Sequence, residues 1–105
     1  MNNARRKELT NLKDQLDEIK TDIESVKSRL EEWKDDVESV KDEEEEAYDN
    51  LPESLQDSER GEKMQDAMTD MESAMDGADT IIDFLNTTIN EFECVVESID
   101  AAIGC

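Results

Sequence analysis

Along the first half of this chain apolar residues alternate at spacings of three and four: Leu9, Leu12, Leu16, Ile19, Ile23, Val26, Leu30, Trp33, Val37 and Val40. That is a heptad repeat, with Leu9 at position a and Leu12 at d, and it puts one apolar stripe on an α-helix that a second helix must cover. The stripe fades within Asp42-Glu43-Glu44-Glu45-Glu46, where Glu44 takes the next a position and Ala47 the next d. The second half resumes it with Met64, Met68, Met71, Met75, Ala78, Ile82, Leu85, Ile89, Phe92, Val96, Ile99 and Ile103, Met64 falling at d. Between the halves lies Asn50-Leu51-Pro52-Glu53-Ser54-Leu55-Gln56-Asp57-Ser58, which holds the only proline. Asn50 suits a helix end, and Asp57 or Ser58 a helix start. The expected organisation is one domain over residues 1–105, with a helix over about 3–49, a turn over 50–58 and a helix over about 59–103, each near 70 Å long at about 1.5 Å per residue. Pro52 inside one uninterrupted helix is the competing reading.

A short connection makes neighbouring helices antiparallel. Setting Leu9 opposite Ile99, Leu16 opposite Phe92, Val26 opposite Ile82 and Trp33 opposite Met75 lets every a meet a d, with the midpoint at Ser54 inside the turn. Glu44 then faces Met64, and Ala47 faces Gly61. The flanks agree: the e positions of the first helix are Lys13, Lys20, Lys27, Lys34 and Lys41, and those of the second include Glu72, Asp79, Glu93 and Asp100. Direct opposition pairs Lys13 with Glu93, Lys27 with Asp79 and Lys34 with Glu72, each worth about 0.3–0.5 kcal/mol at a solvated flank. The expected fold class is therefore all-α, an antiparallel two-helix coiled-coil hairpin.

The other flank is lopsided. The g positions of the first helix are mostly acidic, whereas those of the second are Ala67, Ala74, Ile81, Thr88, Val95 and Ala102. Phe84, at a c position, and Gly77, one heptad before it, widen this second stripe. A two-helix hairpin cannot cover so broad a face, so two hairpins are expected to pair through Ala74, Gly77, Ile81, Phe84, Thr88 and Val95 into a four-helix homodimer. A scattered set of exposed apolar side chains is the alternative.

Charge limits the function. The chain has 105 residues, 31 acids, 11 bases and no histidine, a net charge of −20. Such a chain is repelled by nucleic acid and anionic membrane, so the expected partner is a protein with a basic surface. Without histidine there is no Ser-His-Asp or Cys-His nucleophile and no histidine-ligated metal, and no enzyme is expected. No cofactor or metal is expected either, because successive carboxylates on a helix point in different directions and Asp76-Gly77-Ala78-Asp79 lacks the alternating ligands of a calcium loop.

The excess is uneven. Residues 1–30 hold seven bases and six acids, whereas residues 31–75 hold 18 acids against Lys34, Lys41, Arg60 and Lys63. The expected partner-binding surface is this acidic tip: Asp35, Asp36, Asp42, Glu43, Glu44, Glu45, Glu46, Asp49, Glu53, Asp57, Glu59 and Glu62. Tyr48, Leu51 and Leu55 either close the end of the helix pair or form turn contacts to the partner. A side-by-side dimer approaches the charge density of duplex DNA, about one negative charge per 1.7 Å. Acidity that serves only to keep an apolar helix pair in solution is the competing explanation.

No apolar core of a signal peptide follows the basic start, and no stretch reaches the roughly 20 apolar residues of a membrane span, so a cytoplasmic location is expected. Cys94 and Cys105 lie about 16 Å apart on a continuous helix, too far to bridge within one chain. Free thiols are one reading and an intermolecular disulfide the other.

The segment Tyr48-Asp49-Asn50-Leu51-Pro52-Glu53-Ser54-Leu55-Gln56, followed by Ser58-Glu59-Arg60-Gly61-Glu62, resembles a functionally uncharacterised family of small acidic helical proteins from tailed bacteriophages and prophages. In that family a helix leads into an aromatic-Asp-Asn-Leu/Met-Pro-Glu turn and an Ala-rich acidic helix follows. The motif covers about fifteen residues; the flanking helices match in pattern and charge, and the Met-rich second helix departs from the Ala/Leu-rich form. The resemblance carries over no catalytic residue and no cofactor. It implies an inhibitor occupying the nucleic-acid-binding surface of a host defence or nucleic-acid-processing protein, or an accessory factor in phage replication or assembly.

Overall fold

A computed structural model describes all 105 residues and contains three helices and no strand: α1 (Asn3–Asp49), α2 (Glu53–Gln56) and α3 (Glu59–Gly104). The chain is thus all-α, of coiled-coil type.

Each helix boundary has a local cause. Asn2 caps α1, its side-chain oxygen accepting from the Arg5 amide at 2.9 Å and its carbonyl from the Arg6 amide at 3.1 Å. α1 ends as the ladder tightens, the Asn50 amide bonding to Glu46 and the Leu51 amide to Tyr48. Pro52 follows with φ −57° and ψ 146°, an extended setting that α1 cannot continue through. Ser58, rather than Asp57, heads α3: its carbonyl accepts from the Glu62 amide at 3.0 Å, and its hydroxyl lies 3.5 Å from the Gly61 amide. Glu59 and Glu62 fill the first turn of α3, where the helix dipole favours acids.

The expected turn contains its own helical turn, α2, and a clamp. The half-buried Gln56 amide donates to the carbonyls of Tyr48 and Leu51, both at 3.2 Å, giving the Tyr48 carbonyl a second donor beside the Leu51 amide. Gly61 is buried against the backbone of Gln56. A Cβ at Gly61 falls 2.0 Å from the Gln56 carbonyl oxygen and 2.5 Å from its carbon, so only glycine permits the approach. The Gln65 amide closes the far side by donating to the Tyr48 hydroxyl at 2.7 Å.

The chain forms two compact units, Met1–Ser28 with Ile82–Cys105 (unit 1) and Arg29–Ile81 (unit 2); α1 and α3 contribute to both. In unit 2, Lys34 pairs with Asp79 at 2.6 Å and Lys41 with Glu72 at 4.0 Å, so partner numbers fall along α3 as they rise along α1. Unit 1 has Lys13 on Asp100 at 2.6 Å, and Arg6 donating to the Ile103 carbonyl at 3.2 Å. Arg6 thereby meets the negative end of the α3 dipole.

Gly61→Ala is expected to destabilise the protein by about 3 kcal/mol or more, since two backbone segments must separate. Gly104→Ala, with nothing within 4 Å of the added carbon, is expected to leave the melting temperature unchanged. Thermal melts followed by circular dichroism compare the two.

Candidate functional site

Which helix faces are covered decides what the surface offers. On α3 most half-buried residues follow the two rows of the heptad seam, d (Met64, Met71, Leu85, Phe92, Ile99) and a (Met68, Met75, Ile82, Ile89, Val96, Ile103), with Ala67, Asp79, Asn86 and Ala102 beside them, and Ala78 in the d row is buried, only 3% exposed. On α1 the covered rows are a (Leu9, Leu16, Ile23, Leu30, Val37, Glu44) and e (Lys13, Lys20, Lys27, Lys34, Lys41, Tyr48). The d row, expected in the seam, is open instead: Leu12, Ile19, Val26, Trp33 and Val40 are 46–54% exposed.

The lysines explain the turn of α1. Each carries an apolar four-carbon stem that can lie along the seam while its ammonium reaches an acid on α3. Lys13 finds Asp100, Lys34 finds Asp79 and Lys41 finds Glu72. These partners correct the expected ones: Lys13 pairs with Asp100 in place of Glu93, and Lys34 with Asp79 in place of Glu72. Helical side chains slope toward their own N-terminus, so on oppositely numbered helices long side chains converge from Cα positions about one heptad further along. Hydrogen bonding to Asp100 raises the Lys13 pKa above its ordinary 10.5, and bonding to Asp79 does the same for Lys34; partial desolvation opposes both.

Rotation toward e opens the other flank. In unit 2, Leu30 and Trp33 of α1 and Ala74, Gly77, Ala78 and Ile81 of α3 line an apolar groove. Trp33 is therefore not a core residue facing Met75; it stands 46% exposed beside small residues. In unit 1 the α1 residues Leu12, Ile19 and Val26 are joined in exposure by Phe84, Thr88 and Val95 of α3, Phe84 at 70%. The expected interface residues Ala74, Gly77, Ile81, Phe84, Thr88 and Val95 are all exposed. The exposure of the α1 d row departs from expectation, because the repeat alone assigns a and d to the seam.

The second candidate surface is acidic. Unit 2 holds 20 acids against five bases, and unit 1 holds 11 acids against six bases. Of the tip acids, Asp35, Asp36, Asp42, Glu43, Glu45, Glu46, Asp49, Glu53, Asp57, Glu59 and Glu62 are exposed and Glu44 is half-buried. Glu59 pairs with Lys63 at 3.3 Å. Glu44 lines a groove with Glu59, Arg60, Lys63 and Met64, which brings the acid run of α1 to the bases in the opening turns of α3. Tyr48 and Leu51 are half-buried and Leu55 is 41% exposed. Gln56 and Gly61, which hold this end together, carry no signal in a heptad reading.

No group of acids and cysteines converges to hold a metal ion, and Cys94 and Cys105 are free and exposed. No helix is long and apolar enough to cross a membrane.

The raised lysines have a pH signature. A lysine whose pKa is higher folded than unfolded contributes stability below the unfolded value, near 10.5, and loses it as pH rises through the folded value. The alkaline fall in melting temperature is expected to be smaller in a Lys13→Gln/Lys34→Gln double variant than in the parent, read by melts from neutral pH to beyond the lysine range. Searches found no family model, no curated protein and no solved structure that matches the chain.

Proposed function

We propose that the chain is a non-enzymatic protein-binding module: an antiparallel coiled-coil hairpin of phage type that pairs into a four-helix homodimer and offers its acidic end to a basic protein. The binding mode is occupation of the basic nucleic-acid-binding surface of a host defence or nucleic-acid-processing protein, with carboxylates standing in for phosphates. One observation carries this reading: unit 2 concentrates 20 acids against five bases, and its tip carboxylates are exposed save for the half-buried Glu44. Ion pairs in the same unit serve the helix seam, at Lys34–Asp79 and Lys41–Glu72, and leave the acid run Asp42–Glu46 available. Exposed like charges at such density raise the local potential, speed encounter with a cationic partner and weaken with salt.

The hairpin part of the proposal is supported by the falling order of partners and by the Gln56–Gly61 clamp. A chain with one fully covered apolar side chain also gains from a second copy.

The test is capture of bacterial proteins on the immobilised chain, followed by elution with duplex DNA. Bound proteins are expected to elute with DNA and with salt of roughly 0.5 M, where the screening length falls to several Å. Neutralising Asp42→Asn, Glu43→Gln, Glu44→Gln, Glu45→Gln and Glu46→Gln together is expected to remove most of the capture. Retention indifferent to DNA and to neutralisation sinks mimicry and leaves the alternative, an assembly or replication accessory whose acidity serves solubility.

A further inference from the structure

Deepening the homodimer part of that reading, on which this inference rests, we propose that the open apolar face is closed by a second copy lying in the opposite direction. A twofold axis passes beside Ile81, and Phe84 of each copy sits over Gly77 of the other. The interface differs from one made by α3 alone, because Trp33 of α1 lines the groove that receives Phe84.

Area argues for a partner of this size. A compact monomer of 12.0 kDa exposes roughly 6,000 Å², whereas this chain exposes 7556 Å². The excess, roughly 1,500 Å², is within what one subunit contributes to an obligate interface. The residues left open include large apolar side chains, with Trp33, Ile81 and Phe84 among them.

Shape argues for the direction. With α3 laid antiparallel on a second α3 about Ile81, large residues meet small ones: Phe84 faces Gly77 and Thr88 faces Ala74. Trp33 and Ile81 wall the groove in which Gly77 lies, and nothing in the chain comes within 4 Å of a Cβ built there. Phe84, 70% exposed, has the bulk to fill it. Laid in the same direction, each residue meets its own copy, leaving Gly77 on Gly77 and Phe84 on Phe84.

The test starts from the full chain with Cys94→Ser and Cys105→Ser, its mass measured by sedimentation equilibrium at micromolar concentration. A dimer is expected. Mixing Ala74→Cys with Thr88→Cys chains and oxidising is expected to give the mixed disulfide, with little self-crosslinking of either variant. Gly77→Leu, whose Cβ has nothing within 4 Å and whose side chain enters the open groove, is expected to keep its helical circular dichroism and to weaken dimerisation at least about tenfold by overfilling the contact. Self-crosslinking through Ala74→Cys overturns the direction while leaving the homodimer standing. A Gly77→Leu chain that associates as the parent does overturns the Phe84 contact. A monomer overturns the interface and the homodimer together, and leaves binding through the acidic tip to be judged by its own elution experiment.

Discussion

Two helices side by side can cover only one stripe between them, and the rest of this molecule follows from which stripe is chosen. α3 supplies its a and d rows, and α1 answers with a and e instead of a and d. The choice is electrostatic as much as apolar. Lysine stems offer fewer buried carbons than Leu12, Ile19 or Trp33, but those of Lys13, Lys34 and Lys41 end in an ammonium that reaches an acid on α3, and a leucine has no equivalent. Exposed pairs of this kind are individually small, about 0.2–1 kcal/mol, so their repetition along the helix matters more than any one of them. The consequence is an apolar face left over on the side where α3 carries alanine, glycine, isoleucine and valine in place of acids.

Charge placement obeys the helix dipoles in the same way. Considered alone, α1 is poorly designed: its first turn has no acid and its last turn no base, the reverse of what the dipole favours. Beside α3 the arrangement makes sense. Arg6 meets the terminal carbonyl of Ile103, and the acid run ends near Arg60, Lys63 and the opening turns of α3. Some of the acidity that looks functional is thus paired with structure, which is why the exposed carboxylates of Asp42, Glu43, Glu45 and Glu46 carry the functional reading and the total of −20 does not.

Much of the architecture was legible in the residue order. The three-four spacing specifies two long helices, and the lone proline between an asparagine and a serine marks where they separate. What the spacing cannot express is rotation of one helix about its axis, because rows a, d and e are all compatible with burial once e is a lysine with an acid in reach. Trp33 illustrates the point: by position it belongs in the core, and in the folded chain it borders an open groove. Ion-pair partners were displaced by one heptad for a related reason, since the slope of helical side chains is invisible to a scheme that places residues by Cα position. The clamp was illegible altogether: Gln56 and Gly61 are ordinary turn residues until three-dimensional contact joins them.

That contact has a bearing on how such a chain can vary. Within unit 2, Gly61 against the Gln56 carbonyl fixes where α3 begins, and the pairs Lys34–Asp79 and Lys41–Glu72 are counted from that point. A single residue gained or lost between Gly61 and Glu72 turns both acids about 100° away from their lysines. Length in this stretch is therefore quantised, since only a change by a whole heptad returns an acid to the same face of α3.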